Sequence, residues 1–378
     1  MAGAVGEDER PARGRDVPVR AVDRDALPAL GPPAVGAQRA VGRLHPPVAR
    51  DALHDSYRGW RAVADAYDEP RVLVGEVWLA DRERFARYLR PDEMHTAFNF
   101  DFMARPWDAK ALRESVQTTL DAHAPVAAPA TWVLSNHDVT RPVTRYGRED
   151  SSFAFATKRF GTPTDLATGR RRARAAALLS AALPGSLYLY QGDELGLPEV
   201  EDLPPDAIQD PMHARSGGVD PGRDGCRVPL PWTRGGTSHG FGPDGGAQPW
   251  LPQPHGWGEL SVEAQTGDET SVLTLYRRVL ATRRAEPALR AGGFRWLDSL
   301  GGVVLGDDVL AFAREAPGDG DGDGRAVACV VNLGPDDVPL PADAEVLLRS
   351  DAPGSAPRAS DAPGAARLPT DTAVWLRA

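Results

Sequence analysis

Apolar residues along this chain follow two rhythms. From Asp51 to Tyr67 the residues Leu53, Tyr57, Trp60, Val63, Ala64 and Tyr67 recur at helical spacing, which predicts an amphipathic helix with one face on a core. The run 71–76, Arg71-Val72-Leu73-Val74-Gly75-Glu76, is a β-former stretch that stops at a carboxylate, so a buried strand is predicted there. Helical spacing returns at Asp81 to Leu89, alternation at 96–102, and helix again at about 108–122. A strand follows at 132–136, then a basic-to-apolar helix from Arg170 to Leu183, closed by Pro184-Gly185, that feeds a strand at 186–190. Helices alternating with short apolar strands predict parallel β/α units.

Beyond Gln191 the rhythm is lost. Residues 192–258 are dense in Gly, Pro and Asp; a loop of this length after the last strand is expected to lie over a functional site. One more helix is predicted at 269–286, carrying Val272, Leu275, Tyr276, Val279 and Leu280. From there short apolar runs at 303–305, 309–313, 327–331 and 374–376 are separated by turn residues, which predicts an all-β unit. Its Asp/Gly repeat at 318–324 reads as a hairpin tip, because it lacks the twelve-residue calcium-loop pattern and its closing Glu.

Composition changes the picture mainly at the N-terminus. Lys110 and Lys158 are the only lysines, while Arg, Ala, Gly and Pro abound, as in a GC-rich gene. Residues 1–44 have that composition without either rhythm and cannot bury enough apolar surface to offset about 1–2 kcal/mol per residue of chain entropy. Disorder is expected there; a frameshift or misplaced start explains the segment, with a divergent linker as the alternative. At 378 residues and 42% hydrophobic content the chain has length for two or three domains with a sizeable core. Its net charge of −10 argues against a nucleic-acid partner. No apolar run is long enough to span a membrane, and the acidic start lacks the apolar segment of a signal peptide. Cys226 and Cys329 have neither disulfide-framework nor metal-ligand spacing, so no metal or cofactor is expected and a cytoplasmic setting fits.

The chemistry sits at strand ends. Trp132-Val133-Leu134-Ser135-Asn136-His137-Asp138 runs from an apolar strand into three polar residues, and Glu76 ends the earlier strand in the same way. Two carboxylates delivered from separate strands are what glycoside hydrolysis requires, one to donate a proton and one to bear on a cationic transition state. Four motifs occur in order: Gly75-Glu76-Val77-Trp78, Ser135-Asn136-His137-Asp138, the run 190–197 (Tyr190-Gln191-Gly192-Asp193-Glu194-Leu195-Gly196-Leu197), and the run 223–232 from Arg223-Asp224-Gly225-Cys226-Arg227 to Trp232. Over roughly residues 45 to 378 the chain resembles the α-amylase superfamily of glycoside hydrolases, and within it the bacterial α-glucosidase and oligo-1,6-glucosidase branch.

That resemblance implies an α/β fold built on a (β/α)8 barrel with a C-terminal all-β domain. A whole barrel takes about 250 residues, so the part upstream of Glu76 is too short for four units and only the second half is expected, an incomplete barrel. Residues 1–44 are then unassigned, 45–290 form the half barrel including the 192–258 loop, and 291–378 form a C-terminal β-sandwich domain. The resemblance implies retaining hydrolysis of terminal α-linked glucose from short oligosaccharides or small α-glucosides. Glu76 would be general acid and then base, its pKa raised by a desolvated site. Asp138 would stabilise the transition state and grip sugar hydroxyls, with His137, Asn136, Arg223 and Arg227 binding substrate. The nucleophile strand has no convincing counterpart; Asp16 lies at a plausible distance but lacks the apolar lead-in and the flanking Arg and His. The chain by itself is therefore not expected to hydrolyse p-nitrophenyl α-glucoside, and unpaired outer strands predict poor solubility. A sugar isomerase or transglycosylase on the same scaffold, or a non-catalytic carbohydrate-binding remnant, are the alternatives.

Overall fold

Residues 51–154, 158–316, 326–351 and 366–377 are described by a computed structural model. The N-terminal segment 1–44 with Asp16, and the Asp/Gly repeat at 318–324, lie outside the described residues. The first half alternates as its apolar rhythm requires: α1 (Asp51–Asp65), β1 (Val74–Gly75), α2 (Arg82–Arg87), β2 (Thr96–Ala97), α3 (Phe100–Ala104), α4 (Ala109–His123), β3 (Thr131–Val133), α5 (Pro142–Tyr146), α6 (Leu166–Ala182) and β4 (Ser186–Tyr188). The helix starts are set by short polar side chains. Asp81, Asn99, Asp108 and Asp165 each accept a backbone N–H at the first turn of α2, α3, α4 and α6.

The strand expected at 96–102 is a correction: it ends at Ala97, and Phe100–Ala104 is the helix α3. Asn99 breaks the strand because its Oδ1 accepts from the Phe102 N–H at 3.0 Å, and Phe100, Phe102 and Met103 are then all buried on a helical face. The β1–β2 and β3–β4 pairs are parallel, in register Gly75↔Ala97 and Val133↔Tyr188. The two ladders are joined by threonine rather than by backbone: the Thr131 hydroxyl donates to the Ala97 carbonyl, and Thr96 donates to the Pro129 carbonyl at 3.3 Å. Among the described residues β1 has a ladder on one side only, and Val72 and Val74 are exposed, as are Trp60, Val63 and Tyr67 of the preceding segment.

The loop after β4 is ordered around its own core. It carries α7 (Pro211–Arg215) and α8 (Val262–Gln265), and Leu195, Leu197, Val228, Leu230 and Trp257 pack together beneath it. Then come α9 (Val272–Ala285) and α10 (Pro287–Ala291). The remainder is antiparallel: β5 (Gly293–Trp296), β6 (Ser299–Leu300), β7 (Val303–Val304), β8 (Val309–Glu315), β9 (Ala326–Asn332), β10 (Val338–Pro339), β11 (Glu345–Arg349), β12 (Arg367–Leu368) and β13 (Thr372–Arg377). Five of these form one sheet in the order β11-β13-β9-β8-β5, while β6–β7 and β10–β12 are short separate ladders.

Alternation along β8, β9 and β13 splits that sheet's side chains between two clusters. Phe312, Cys329, Val331 and Trp375 join the core of α6 and β3, whereas Ala311, Val330, Val374 and Leu376 lie with Leu300, Leu340 and Leu368 of the short ladders. α6 is apolar nearly all round from Ala175 to Ala182 because it is covered on several sides, and Trp375 donates its indole N–H to the Leu178 carbonyl at 3.2 Å. Arginines of the same helix reach across: Arg174 donates to the Ser350 carbonyl at 2.6 Å and Arg172 to Asp371 at 2.8 Å. Among the described residues no helix is long and apolar enough to cross a membrane.

Candidate active site

Residues at the carboxyl ends of β2, β3 and β4 meet in one apolar cluster. Phe100, Val133 and Val139 are buried together with Phe98 and Tyr188 against them, and the Phe98 and Tyr188 rings meet edge-on at 4.9 Å. Trp78, two residues beyond Glu76, stacks on Phe100 with centroids 3.4 Å apart. Glu76 follows the carboxyl end of β1 and Asp138 lies five residues beyond β3, each past the end of its own parallel ladder. Gly75 is required before Glu76, since a Cβ there would lie 2.5 Å from Met94 Sδ and 3.1 Å from Ala97 Cβ. Glu76 itself is exposed and makes no hydrogen bond or ion pair among the described residues. The desolvated setting expected for it is absent here.

Asp138 is held by two arginines. Its Oδ1 accepts from Arg223 Nη1 and Arg227 Nη2, both at 2.9 Å, and stands 3.5 Å from His137 Nε2. All of these contacts fall on one oxygen, so Oδ2 accepts no hydrogen bond among the described residues and is left for another donor. The turn that presents it is braced from within. Asn136 Oδ1 accepts the Asp138 N–H at 2.8 Å, and the His137 carbonyl accepts from Arg227 Nε at 2.8 Å. Asn136 thus shapes the turn, His137 is exposed beside the carboxylate, and Arg223 and Arg227 clamp it.

Arg223 is held in turn by a residue that sequence reasoning missed. Asp210 is buried at the start of α7; its Oδ2 accepts from the Arg223 backbone N–H at 2.8 Å and from Nε at 2.6 Å, and Oδ1 accepts from Nη2 at 3.1 Å and from the Met212 N–H at 3.0 Å. The Arg223 guanidinium holds the Asp210 carboxyl well below the usual carboxylate range, and Asp210 in return raises the guanidinium pKa. Asp210-Pro211 is a helix-start signal that was available in the sequence, although its partner thirteen residues on was not.

Beneath the site lie two buried carboxylates. Asp193, in the turn after β4, accepts the Ser135 hydroxyl at 2.7 Å, and burial pushes its pKa to about 6 against that hydrogen bond. The turn depends on Gly192, whose φ of +94° is strained for any side chain and where a Cβ would lie 2.4 Å from Arg141 Nη1. Glu199 is buried and pushed to about 7 by desolvation, although it accepts the Arg141 N–H at 2.8 Å. Arg141 in turn donates to the Gln191 and Cys226 carbonyls, both at 2.8 Å, and ties β4's end to the loop.

Both folded-state pKa values are raised, so the native state keeps protons that the unfolded chain gives up. Their contribution is fully present below about pH 4 and is lost as pH rises through about 6 and 7. Glu199→Gln keeps an oxygen acceptor and stays neutral. In thermal and urea melts it is expected to match the parent near pH 4 and to exceed it by about 3 kcal/mol at pH 8. Parallel pH curves for parent and variant would show that Glu199 is not held protonated.

Among the described residues no group of three or more His, Cys, Asp or Glu side chains is arranged to hold a metal ion. Cys226 and Cys329 are both buried, and burial pushes both thiols up. Trp132 and Leu134 are buried in the strand body, where the indole N–H of Trp132 donates to the Pro184 carbonyl at 2.7 Å.

A family model described as Alpha amylase, catalytic domain, matches residues 47–292. A probable alpha-glucosidase of Rhizobium meliloti is 34% identical over 255 residues, covering 65% of this chain and 41% of the relative. A trehalose synthase/amylase of Mycobacterium tuberculosis is 31% identical over 298 residues, covering 72% of this chain and 45% of the relative. The crystal structure of an alpha-glucosyl transfer enzyme, XgtA, superposes with a TM-score of 0.65 at 29% identity, covering 87% of this chain and 54% of that one. The chain spans less than half the length of these curated relatives.

Proposed function

The chain belongs to the α-amylase family, whose catalytic domain is a (β/α)8 barrel with a β domain after it, and from that premise we propose that it carries the acid and sugar-gripping half of an α-glucosidase site. β1 to β4 are then the fifth to eighth strands of the barrel, a reading supported by four parallel strands alternating with helices and by relatives about twice as long. The substrate is a terminal α-linked glucose on a short oligosaccharide or small α-glucoside. Glu76 donates a proton to the glycosidic oxygen and later takes one from water; its exposed position leaves the carboxyl open to a ligand that would itself supply the desolvation.

The observation that carries this reading is the asymmetric hold on Asp138. Two guanidinium groups pin Oδ1 and fix the plane of the carboxylate, while Oδ2 remains able to accept from a sugar hydroxyl. Beside it the exposed His137 ring can reach the same sugar. Orientation of this kind is what lets a carboxylate act on a transition state without reorganising. The nucleophile is not found among the residues nearest this carboxylate: Asp210, linked to Asp138 through Arg223, has both oxygens committed to Arg223 and to backbone N–H groups. A second reading, isomerisation with the glucose retained, is supported by the relative named as a trehalose synthase/amylase, and it would use the same acid and the same grip.

A crystal of the chain soaked with glucose tests the proposal. Ring hydroxyls are expected at hydrogen-bond distance from Asp138 Oδ2 and from the His137 ring, on the side facing Glu76. Glucose bound elsewhere at saturation, or a ring that leaves Asp138 untouched, would remove the α-glucoside reading.

A further inference from the structure

Residues 204–222 of the loop after β4 lead up to Arg223 and so decide where its guanidinium meets Asp138. Little of this limb is buried. α7 buries none of its residues, Val219 is 86% exposed, and between 204 and 222 only Asp210 and Gly222 are buried. Most of the limb's hydrogen bonds are internal to the loop: Asp210 holds Arg223, Asp224 Oδ2 accepts the Asp210 N–H at 2.8 Å, and the His213 ring meets the Asp220 carbonyl at 2.8 Å. Among the described residues one side chain from outside the loop hydrogen-bonds to it. Lys158 Nζ donates to Asp220 Oδ1 at 2.6 Å and to the Gly222 carbonyl at 2.9 Å.

Lys158 belongs to the connection from β3 to α6, the same connection that carries Asp138. Its own backbone is fixed there, since the buried Arg148 donates from Nη1 to the Lys158 carbonyl at 3.0 Å and from Nε to Thr164 Oγ1 at 3.3 Å. The side chain is only 4% exposed, so its charge depends on the Asp220 carboxylate and the carbonyl for what water would otherwise supply. The turn it holds is tight: Gly222 has a φ of +79°, and its N–H donates to the same Asp220 Oδ1 at 2.8 Å. Arg223 follows directly. We propose that Lys158 is a positioning residue for the sugar-gripping carboxylate: through Asp220 and the Gly222 carbonyl it pins the turn before Arg223 and so keeps that guanidinium on Asp138, an inference that rests on the α-glucoside reading of Asp138. Without it Arg227 still holds Oδ1, but the second guanidinium no longer fixes the plane of the carboxylate.

Lys158→Met tests this, because it removes the charge and keeps an unbranched stem in the buried space. NMR-monitored titration of methyl α-glucoside into the full chain is expected to show binding weakened about tenfold in Lys158→Met. In an Arg223→Gln background the same substitution should weaken it no further, whereas general damage to the fold would weaken binding in both backgrounds. Crystals of Lys158→Met should show Arg223 Nη1 beyond hydrogen-bond distance of Asp138 Oδ1. Should Lys158→Met fail to fold, Asp220→Asn, altered at a half-buried position, is carried through the same comparisons with the same expected direction. Unchanged affinity, an equal loss in both backgrounds, or an Arg223–Asp138 contact that stays at 2.9 Å overturns the inference. Failure of the sugar reading looks different: Arg223 leaves Asp138 in the variant crystal, yet the parent does not bind methyl α-glucoside, which overturns the role in sugar binding through the sugar.

Discussion

p-Nitrophenyl α-glucoside incubated with the purified chain is expected to release p-nitrophenol no faster than with its Glu76→Gln variant. Retaining hydrolysis needs a nucleophilic carboxylate about 5–5.5 Å from the acid, attacking from the other face of the sugar ring. Asp138 is clamped through Oδ1 by Arg223 and Arg227, which suits it for orienting substrate rather than for forming a covalent bond. Asp210 is buried and has four hydrogen bonds on its two oxygens. Loss of a nucleophile costs on the order of 10⁶ in kcat where the remaining machinery is intact, which is ample to bring turnover down to the level of the acid-less variant. Robust turnover that disappears in Glu76→Gln would instead mean that a residue outside the described ones, with Asp16 the first to test, reaches the sugar.

Asp210→Ala is expected to lower stability by about 3–5 kcal/mol, read as a fall in the urea midpoint at unchanged slope. Removing this buried carboxylate strands the Arg223 and Met212 N–H groups and leaves the guanidinium with Asp138 alone. Asp210→Asn should fall between parent and alanine variant, because the amide oxygen can still cap α7 but cannot balance the guanidinium charge. The effect should reach the site too, since Arg223 loses the anchor that aims it at Asp138. A cost under about 1 kcal/mol would mean that the loop folds without this pair.

What the sequence disclosed about this fold was local. The helical spacing of Val272, Leu275, Tyr276 and Val279 and the alternation in β8, β9 and β13 are set by which face each side chain buries, so they survive without knowledge of partners. The strand expected at 96–102 failed because Phe98, Phe100 and Phe102 satisfy alternation as well as they satisfy a helical turn, and the capping Asn99 decided between them. At the site, Glu76 and Asp138 stood out because each ends an apolar run. Their environment did not. The clamp on Asp138 comes from arginines 85 and 89 residues away, and the Arg141–Glu199 contact spans 58 residues. Separations of that size are set by the topology of the chain, and no periodicity encodes them. Burial likewise decides that Glu199 and Asp193 are held toward their protonated forms while Glu76, the residue expected to be desolvated, stands in solvent.

The grip of Asp138 on an α-glucosyl ring is tested most directly by titrating methyl α-glucoside into the full chain and into Asp138→Asn. Saturable binding with a Kd on the order of millimolar is expected for the parent, weakened at least about tenfold in the variant, with Glu76→Gln binding like the parent. Binding that is equal in parent and Asp138→Asn, or absent from the parent at concentrations well above millimolar, would contradict it.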